Sequence, residues 1–251
     1  MAKIQVALQL YTVRDDMAKD FAGTLKKVAE IGYPAVELAG TGGLSAKELR
    51  ALLDGLGLKV VGTHVGLDGL TKDLQATMEY NLTIGNPFLV CPGIPEERRS
   101  NADAWRETGA IFNRAAGEAR KSGLAVAYHN HDIEFKQFDG KYGLDIFLEA
   151  TDASLVGVEL DVFWAQYGKV NPVQYMSKHP GRFPLLHLKD MGTDGKSMTE
   201  VGEGIVDFMG IFAQAERAGV RAYIVEQDTC ARPPLESVRI SLENLKRWGV
   251  L

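Results

Sequence analysis

The feature that most constrains this chain is a short apolar run that ends in a polar residue of a metal-binding type. It recurs along the sequence, and five residues end such runs: Asp161, His187, Glu226 and, together on one run, His129 and His131. Short apolar runs are typical of buried parallel strands. In a closed barrel the carboxyl ends of parallel strands converge on one mouth, so these side chains would meet there. The pattern therefore favours a barrel enzyme with its site at that mouth.

Eight apolar runs, each followed by a helical pattern, define the expected architecture. The predicted strands are Ile4–Leu10, Ala35–Ala39, Val60–Val65, Phe88–Cys91, Leu124–His129, Val156–Asp161, Leu185–Leu188 and Ala222–Glu226. Strict alternation of strand and helix indicates a parallel sheet. Eight units in 251 residues fit a single α/β domain over residues 1–251, a closed (β/α)8 or TIM barrel, which typically needs about 250 residues. An open doubly wound sheet is the structural alternative.

Several helices carry clear start signals. Ser45 followed by Glu48 predicts a capping box at the start of one helix. A long helix is expected over Asn101–Lys121, and the last two helices are expected over Ile205–Ala218 and Pro234–Trp248. Proline suits the first turn of a helix because the N–H that it lacks would have no partner there. These segments supply the helical half of the repeating unit.

The alternation of side chains along each strand predicts which residues face the barrel interior. Residues two apart share a face, so Asp161 shares its face with Glu159, and Glu226 shares its face with Asp228. The same argument turns a further set inward: Gln9, His64, His129, His131 and Lys189. Trp164 follows Asp161 into a loop, where it either packs or stacks on a sugar ring. The expected substrate-binding residues are Gln9, His64, Trp164 and Lys189.

Two carboxylates and an imidazole at one mouth indicate a cation site. Burying a carboxylate without a partner is costly, so Asp161, His187 and Glu226 either pair with other side chains or hold a divalent cation between them. Mixed nitrogen and oxygen ligation suits Mn²⁺, Co²⁺, Mg²⁺ or Zn²⁺. We expect one such ion, manganese among the candidates. The structural alternatives are a Glu226–Lys189 pair and a core role for His187.

Composition narrows the class of partner. The net charge is −5, whereas proteins that bind duplex nucleic acid usually show a basic footprint. No run approaches the roughly 18 apolar residues of a membrane span, and the chain starts on a strand without a signal-peptide pattern. The two cysteines are too few for a disulfide framework. We expect a cytoplasmic enzyme with a small sugar or polyol as its partner, with no nucleic acid and no membrane. A homodimer or higher homo-oligomer is compatible with the sequence.

Six motifs, in order along the whole chain, resemble those of the sugar phosphate isomerase/epimerase family, which belongs to the xylose-isomerase-like TIM barrel superfamily. They are Leu8-Gln-Leu-Tyr-Thr-Val-Arg-Asp, Gly62-Thr-His-Val-Gly-Leu, Tyr128-His-Asn-His-Asp-Ile-Glu-Phe, Glu159-Leu-Asp-Val-Phe-Trp, His187-Leu-Lys-Asp-Met and Val201-Gly-Glu-Gly-Ile-Val-Asp-Phe. The resemblance implies a cation held by Glu, Asp, His and Glu from strands five to eight. The last three ligands carry over to Asp161, His187 and Glu226.

The first of these ligands does not carry over. The epimerases have a glutamate three residues before the position of Asn130, where this chain has Ala127. Glu134 could fold back to complete the set as a ligand and acid–base group with Glu226. His129 or His131 could replace it instead, since an imidazole has a suitable pKa for proton abstraction near neutral pH. The candidate catalytic residues are therefore Glu134, Glu226, His131 and His129.

Four functions follow from these observations and from the resemblance. The leading hypothesis is a metal-dependent isomerase or epimerase in carbohydrate metabolism, which removes the proton next to the carbonyl group of a sugar or keto-sugar and forms an enediolate. A lyase or dehydratase of a keto-sugar or inosose would begin in the same way. A non-catalytic sugar-binding barrel is favoured if Ala127 means that the ion is lost. The apurinic endonucleases of the superfamily are disfavoured by the acidic composition.

Overall fold

The computed structural model describes residues 4–251, so residues 1–3 of the predicted domain lie outside the described residues. Within this range eight parallel strands close a barrel, because β1 pairs with both β2 and β8. The strands are β1 Gln5–Gln9, β2 Ala35–Leu38, β3 Lys59–His64, β4 Phe88–Cys91, β5 Ala125–His129, β6 Val156–Asp161, β7 Leu185–Leu188 and β8 Ala222–Val225. The predicted single-domain (β/α)8 barrel is confirmed, and the open sheet is excluded.

Ten α-helices surround the barrel within the same range. They are α1 Arg14–Lys19, α2 Phe21–Ile31, α3 Ala46–Leu56, α4 Leu74–Thr83, α5 Ala102–Lys121, α6 Gly143–Ala150, α7 Val162–Tyr167, α8 Pro172–Lys178, α9 Phe208–Ala218 and α10 Pro234–Arg247. Two small antiparallel hairpins, Gln137–Phe138 with Lys141–Tyr142 and Asp190–Met191 with Met198–Thr199, lie in the loops after β5 and β7. None of the helices among residues 4–251 is long and apolar enough to cross a membrane.

Local sequence signals explain where helices begin and end. Ser45 and Glu48 form the expected capping box at the start of α3, with the Ser45 N–H donating to Glu48 Oε2 at 2.9 Å. A cap of this kind stabilises a helix by about 1 kcal/mol. Gly57 ends α3 with φ at 69° and Gly219 ends α9 with φ at 83°. Glycine suits both positions because this left-handed conformation carries no Cβ penalty.

Small side chains fill the barrel interior and leave its mouth to polar groups. The inner core consists of Ala7, Ala35, Val61, Phe88, Val90, Ala127, Leu185, Ala222 and Ile224. A separate and larger core packs between the strands and the helices. Four of these nine inner positions are alanines, and the polar side chains lie above them because the carboxyl ends of the strands converge on one mouth. Geometry therefore forces these groups into contact at the carboxyl ends of the strands.

A bulge in β3 determines the inward face near the mouth. Val60 pairs with Val36 and Gly62 pairs with Glu37, so Val61 has no partner on β2. The extra residue resets the alternation of side chains, and Val61 joins the inner core below the site. Glycine is required at the next position, because a Cβ on Gly62 would lie 2.3 Å from Glu37 Oε1. The bulge thus gives the Glu37 carboxylate its space.

Candidate active site

A buried cluster of histidines and acidic residues occupies the mouth of the barrel. Its members are Glu37 on β2, His64 at the end of β3, His129 on β5, Glu159 and Asp161 on β6, His187 on β7, and Lys189, Glu226 and Asp228 just beyond β7 and β8. Seven of them are 3% exposed or less: Glu37, His129, Glu159, Asp161, His187, Lys189 and Glu226. Charged groups at this depth need partners. The contacts within the cluster therefore decide which charges it can hold.

His187 joins carboxylates from three strands. Its Nδ1 atom lies 2.8 Å from Glu226 Oε2, and its Nε2 atom lies 2.7 Å from Glu37 Oε2 and 3.0 Å from Glu159 Oε2. Burial alone would lower the pKa of His187, but Glu159 and Glu226 outweigh burial and raise it well above its ordinary value. The protein's own carboxylates therefore favour the protonated, imidazolium form of the ring.

Glu159 gathers three imidazole rings around one oxygen atom. Its Oε2 atom lies 3.0 Å from His64 Nε2, His129 Nδ1 and His187 Nε2. The rings of His64 and His187 are stacked, with centroids 5.6 Å apart and an interplanar angle of 9°. Burial would lower the pKa of His64, but Glu37 and Glu159 raise it to about 10. Burial and the positive neighbour His187 lower the pKa of His129 well below its ordinary value.

Lys189 supplies the positive charge at the other side of the mouth. Its Nζ atom lies 2.7 Å from Glu226 Oε2, 3.1 Å from Asp161 Oδ2 and 3.0 Å from Asp228 Oδ1. Burial opposes the charge of the ammonium, but these three carboxylates raise its pKa above the ordinary value. Burial raises the pKa of Asp161 to about 6 even though Lys189 opposes the rise. Lys189 therefore remains charged among acidic neighbours.

His131, like His129, is an imidazole of the mouth whose neutral form is favoured. Burial, with the charge of Lys189, lowers its pKa to about 4. Its ring lies 5.0 Å from that of His129 and 5.5 Å from that of Trp164, measured between centroids. At neutral pH the ring carries a free lone pair, so it can accept a proton.

A cavity of about 460 Å³ opens onto this cluster and is lined by Tyr11, Ala39, His64, Pro92, His129, His131, Lys189, Glu226 and Asp228. The volume lies within the usual range for small-molecule sites. Two of the expected substrate-binding residues, His64 and Lys189, line it. Gln9 lies beneath it and donates from Nε2 to Glu37 Oε2 at 2.8 Å. Trp164 instead lines a neighbouring cavity of about 480 Å³, which shares Asp228 with the first.

The structure does not bring Glu134 to the mouth as the fourth ligand or as an acid–base group. Its Oε1 atom accepts from the Tyr128 hydroxyl at 2.6 Å, and its Oε2 atom accepts from the His131 N–H at 2.8 Å. The physical reason is a 3-10 turn over Ile133–Phe135. It directs the side chain back beneath the strand end, towards Tyr128 in the outer core. Glu134 thus anchors the loop that carries His131, and His129 lies in the place that was open for a fourth ligand.

Three carboxylates of the cluster are not among the site residues predicted from the sequence: Glu37, Glu159 and Asp228, of which Asp228 enters only as sharing a face with Glu226. Glu37 lies within the apolar strand Ala35-Val-Glu-Leu, and Glu159 shares its face with Asp161. A usable signal existed for both, because a charged side chain inside a four- to six-residue apolar strand must find a buried partner. The partners come from other strands, which is why local patterns did not reveal them.

Two overlapping groups of side chains could hold a divalent cation. The inner ligand group consists of His64, His129, Glu159 and His187, and the outer ligand group consists of His129, Asp161, His187 and Glu226; within each group the ligand atoms lie within 4.8 Å of one another. Several buried atoms in the part of the chain that the structure describes lack an aligned hydrogen bond: Glu37 Oε1, His129 Nδ1, Glu159 Oε1 and Asp161 Oδ2. Such atoms are expected where an ion completes the interactions. The residues therefore fit a divalent cation.

The chain belongs to the xylose isomerase-like TIM barrel family, whose family model matches residues 25–248. It is 28% identical to a sugar phosphate isomerase/epimerase from Parabacteroides distasonis with a solved crystal structure. That structure superposes with a TM-score of 0.87 over 100% of this chain and 96% of the other. The fold and the order of the site-bearing strands are thus those of a known family of barrels.

Curated relatives are enzymes that modify sugars and related compounds. The chain is 24% identical to an inosose dehydratase from Geobacillus kaustophilus, over 89% of this chain and 85% of that protein. It is also 24% identical to a 2-oxo-tetronate isomerase from Haemophilus influenzae, over 81% of this chain and 86% of that protein. Both a dehydratase and an isomerase therefore stand among the relatives at similar distance.

Proposed function

We propose that this chain is a divalent-metal-dependent enzyme that removes the proton beside the carbonyl group of a sugar or keto-sugar and then eliminates a hydroxyl group as water. The single observation that carries this proposal is the placement of Glu134. An epimerase needs acid–base groups on both faces of the substrate carbon, and Glu134, the candidate for the second carboxylate, instead accepts hydrogen bonds from Tyr128 and His131. One imidazole beside the cavity is sufficient for an elimination.

His131 is the group that moves the proton in this proposal. It takes the proton from the carbon next to the carbonyl, and the electron pair of the broken C–H bond moves onto the carbonyl oxygen to form an enediolate. The imidazolium then returns the proton to the hydroxyl group on the next carbon. That C–O bond breaks as the enediolate collapses, and water leaves.

Lys189 and Glu226 line the same cavity as His131 and are the groups that position the substrate in this proposal. Glu226 holds both Lys189 and His187 at hydrogen-bond distance, and a substrate oxygen that exchanges for one of the carboxylate partners of Lys189 would accept from its ammonium. When bound, the cation supplies a Lewis acid that acidifies the proton next to the carbonyl. The similarity to inosose dehydratases supports cyclic keto-polyols as the first substrates to test.

An isomerase or epimerase is the second candidate, and one observation favours it. Glu226 lines the same cavity as His131; burial opposes its ionisation, but Lys189 and His187 hold its pKa well below the usual range. A carboxylate and a neutral imidazole on two walls could remove a proton from one position and return it at another. The similarity to a 2-oxo-tetronate isomerase supports the same reading.

The test is solvent deuterium exchange followed by product analysis. Inososes, 2-oxo-tetronates and simple ketoses are each incubated with the metal-loaded enzyme in deuterated water and followed by NMR and mass spectrometry. Elimination predicts a product that lacks one water, whereas isomerisation or epimerisation predicts a product with the formula of the substrate. Absence of exchange with all three classes would exclude the proton-abstraction proposal.

A further inference from the structure

We infer that the divalent cation is bound by the inner ligand group, His64, His129, Glu159 and His187, and not by the outer ligand group, which contains the three ligands that the family resemblance implies, Asp161, His187 and Glu226. The inference deepens the proposed function, since it assigns the ligands of the ion on which that function relies. Three independent features of the mouth support it: the position of Lys189, the nitrogen that His187 turns to each group, and the convergence on Glu159.

The ammonium of Lys189 already supplies a positive charge to the carboxylates of the outer group. Its Nζ atom lies 3.1 Å from Asp161 Oδ2 and 2.7 Å from Glu226 Oε2, the carboxylate oxygens nearest to His187 on that side. Like charges a few ångströms apart repel strongly in a poorly screened interior. A metal ion at the outer group would therefore have to displace an ammonium that also holds Asp228 at 3.0 Å.

His187 presents a different ring nitrogen to each group. Its Nδ1 atom is hydrogen-bonded to Glu226 Oε2 at 2.8 Å, whereas its Nε2 atom lies 3.0 Å from Glu159 Oε2. A histidine that binds a metal through one nitrogen commonly donates its other N–H to a carboxylate, which fixes the orientation of the ring. With Nδ1–H donated to Glu226, Nε2 is the nitrogen left for the inner group, and its lone pair becomes available when it gives up the proton that it shares with Glu37 Oε2 at 2.7 Å. Glu226 then orients a ligand without binding the ion.

The inner group has nearly the spacing of a ligand shell. Three ring nitrogens, one each from His64, His129 and His187, lie 3.0 Å from Glu159 Oε2. Ligand atoms held about 2.1 Å from a tetrahedral ion are about 3.4 Å apart, so shifts of a few tenths of an ångström are enough. His129 Nδ1 and Glu159 Oε1 are also buried without an aligned hydrogen bond to any residue within 4–251. A cation bound to His129 Nδ1 would give this nitrogen the partner that it lacks.

The composition of the inner group predicts which ion it prefers and where substrate approaches. Three imidazoles and one carboxylate form a nitrogen-rich set, which suits Zn²⁺ or Co²⁺ better than Mg²⁺. His64 and His129 also line the first cavity, so the ion would lie at the cavity wall. The substitution at Ala127 then removes no ligand, because His129 on the same strand provides one.

Cobalt binding to metal-depleted protein tests the assignment with a matched pair of variants. Glu159→Gln and Glu226→Gln each remove one carboxylate charge beside His187 while keeping the side-chain shape. Calorimetry and the visible absorption of Co²⁺ report binding, and circular dichroism with a thermal melt checks the fold. We expect Glu159→Gln to weaken binding about 100-fold or more. Glu226→Gln should weaken it by about 10-fold or less, because Gln can still accept from His187.

A second pair keeps the test decisive if Glu159→Gln does not fold. His64 belongs only to the inner group and Asp161 only to the outer group, so His64→Ala should weaken Co²⁺ binding strongly and Asp161→Asn should not. The inference is overturned if an outer-group variant weakens binding as much as an inner-group variant, or if the wild-type protein binds no Co²⁺. Normal Co²⁺ binding without exchange of any keto-sugar would remove the proposed function alone.

Discussion

Two buried aspartates at the same end of the barrel show how differently one side chain can be used. Asp190, 1% exposed, accepts four backbone N–H groups in the loop after β7. Its donors and distances are Met191 at 2.8 Å, Gly202 at 2.9 Å, Gly204 at 2.9 Å and Val206 at 3.1 Å. Both oxygens are fully used, and all the donors are fixed in the main chain. Asp190 therefore has a structural role, which is to hold the backbone of the loop after β7 in place.

Asp161 is buried as deeply but is satisfied only in part. Its Oδ1 atom accepts the Trp164 N–H at 2.9 Å, which caps α7. Its Oδ2 atom faces the mouth, 3.1 Å from Lys189 Nζ but without an aligned hydrogen bond among the residues described. Side-chain partners of this kind can reorganise around a ligand, whereas backbone donors cannot. The comparison teaches that incomplete satisfaction, more than burial, separates the candidate site from its scaffold.

The largest expected effect lies with Glu226, which shares Lys189 with Asp161. Replacing Glu226 by Gln removes the charge that holds Lys189 at 2.7 Å, so the group that positions the substrate loses its orientation. We expect turnover to fall about 1,000-fold, or about 4 kcal/mol of barrier, and the thermal midpoint to fall as well, because Lys189 and His187 lose a buried charged partner. Steady-state kinetics and a thermal melt measure both. More than about a tenth of the wild-type rate would exclude a central role for this residue.

The second effect compares the two aspartates directly. Asp190→Asn places an amide NH₂ against backbone donors, so at least one hydrogen-bonded oxygen is lost and two N–H groups are left facing another donor. We expect the free energy of unfolding to fall by about 3 kcal/mol, measured by chemical denaturation. Asp161→Asn should lower turnover far more than stability, because it removes a carboxylate charge whose Oδ2 atom has only Lys189 Nζ beside it and no aligned hydrogen bond among the residues described. If Asp161→Asn lowered the free energy of unfolding more than Asp190→Asn does, the assignment of Asp161 to the site and of Asp190 to the scaffold would be wrong.

The fold could be predicted from the sequence because each unit of the barrel is encoded locally. Apolar runs, caps such as Ser45, and glycines such as Gly57 report on a few neighbouring residues at a time. Strand alternation likewise predicted that Asp161 and His187 would share the mouth. These predictions required only the period of a strand and the parallel order of the barrel.

The rest of the site depends on contacts across strands, which local patterns do not contain. The place of Glu134 is decided by a turn and by the Tyr128 hydroxyl, and the space for the Glu37 carboxylate depends on the β3 bulge next to Gly62. The pairing of Lys189 with three carboxylates combines β6, β7 and β8. Strand parity placed Gln9 inward, but its depth below the cavity follows from its hydrogen bond to Glu37.

The third expected effect compares residues at the end of β5 and just after it. His129 and His131 lie at the mouth, whereas Glu134 supports the loop that carries His131. We expect His131→Ala to slow exchange of the substrate proton with deuterated solvent about 100-fold, the lower range for loss of a general base. Glu134→Gln should cause a smaller loss, because it only loosens the loop that carries His131. His129→Ala is the third arm, and its loss should be recovered in part at high Co²⁺ concentration. Equal and normal exchange in all three variants would eliminate a proton-transfer role for this strand.

The smallest effect concerns Asp145, a third aspartate that, like Asp190, serves the scaffold but is held by side chains. It accepts from the Tyr175 hydroxyl at 2.9 Å and the Lys178 ammonium at 2.9 Å, and it lies 3.0 Å from His179 Nε2. Burial opposes ionisation, but His179, Lys178 and Tyr175 together lower the pKa of Asp145 to about 2. A lowered pKa in the folded state means that the stabilisation is present above the unfolded pKa of about 3.9. It is lost as the pH falls through about 2.

Asp145→Asn should therefore destabilise the protein by about 1 kcal/mol above pH 5, a value reduced for partial exposure to solvent. The difference from wild type should shrink below about pH 4 and vanish near pH 2, followed by denaturant unfolding across that range. The control is Asp103→Asn, because Asp103 is 85% exposed beside Arg106 and surface pairs contribute little. Turnover per folded molecule should be unchanged in both variants. A pH-independent deficit in Asp145→Asn would show that shape, and not charge, is what this aspartate provides to the scaffold.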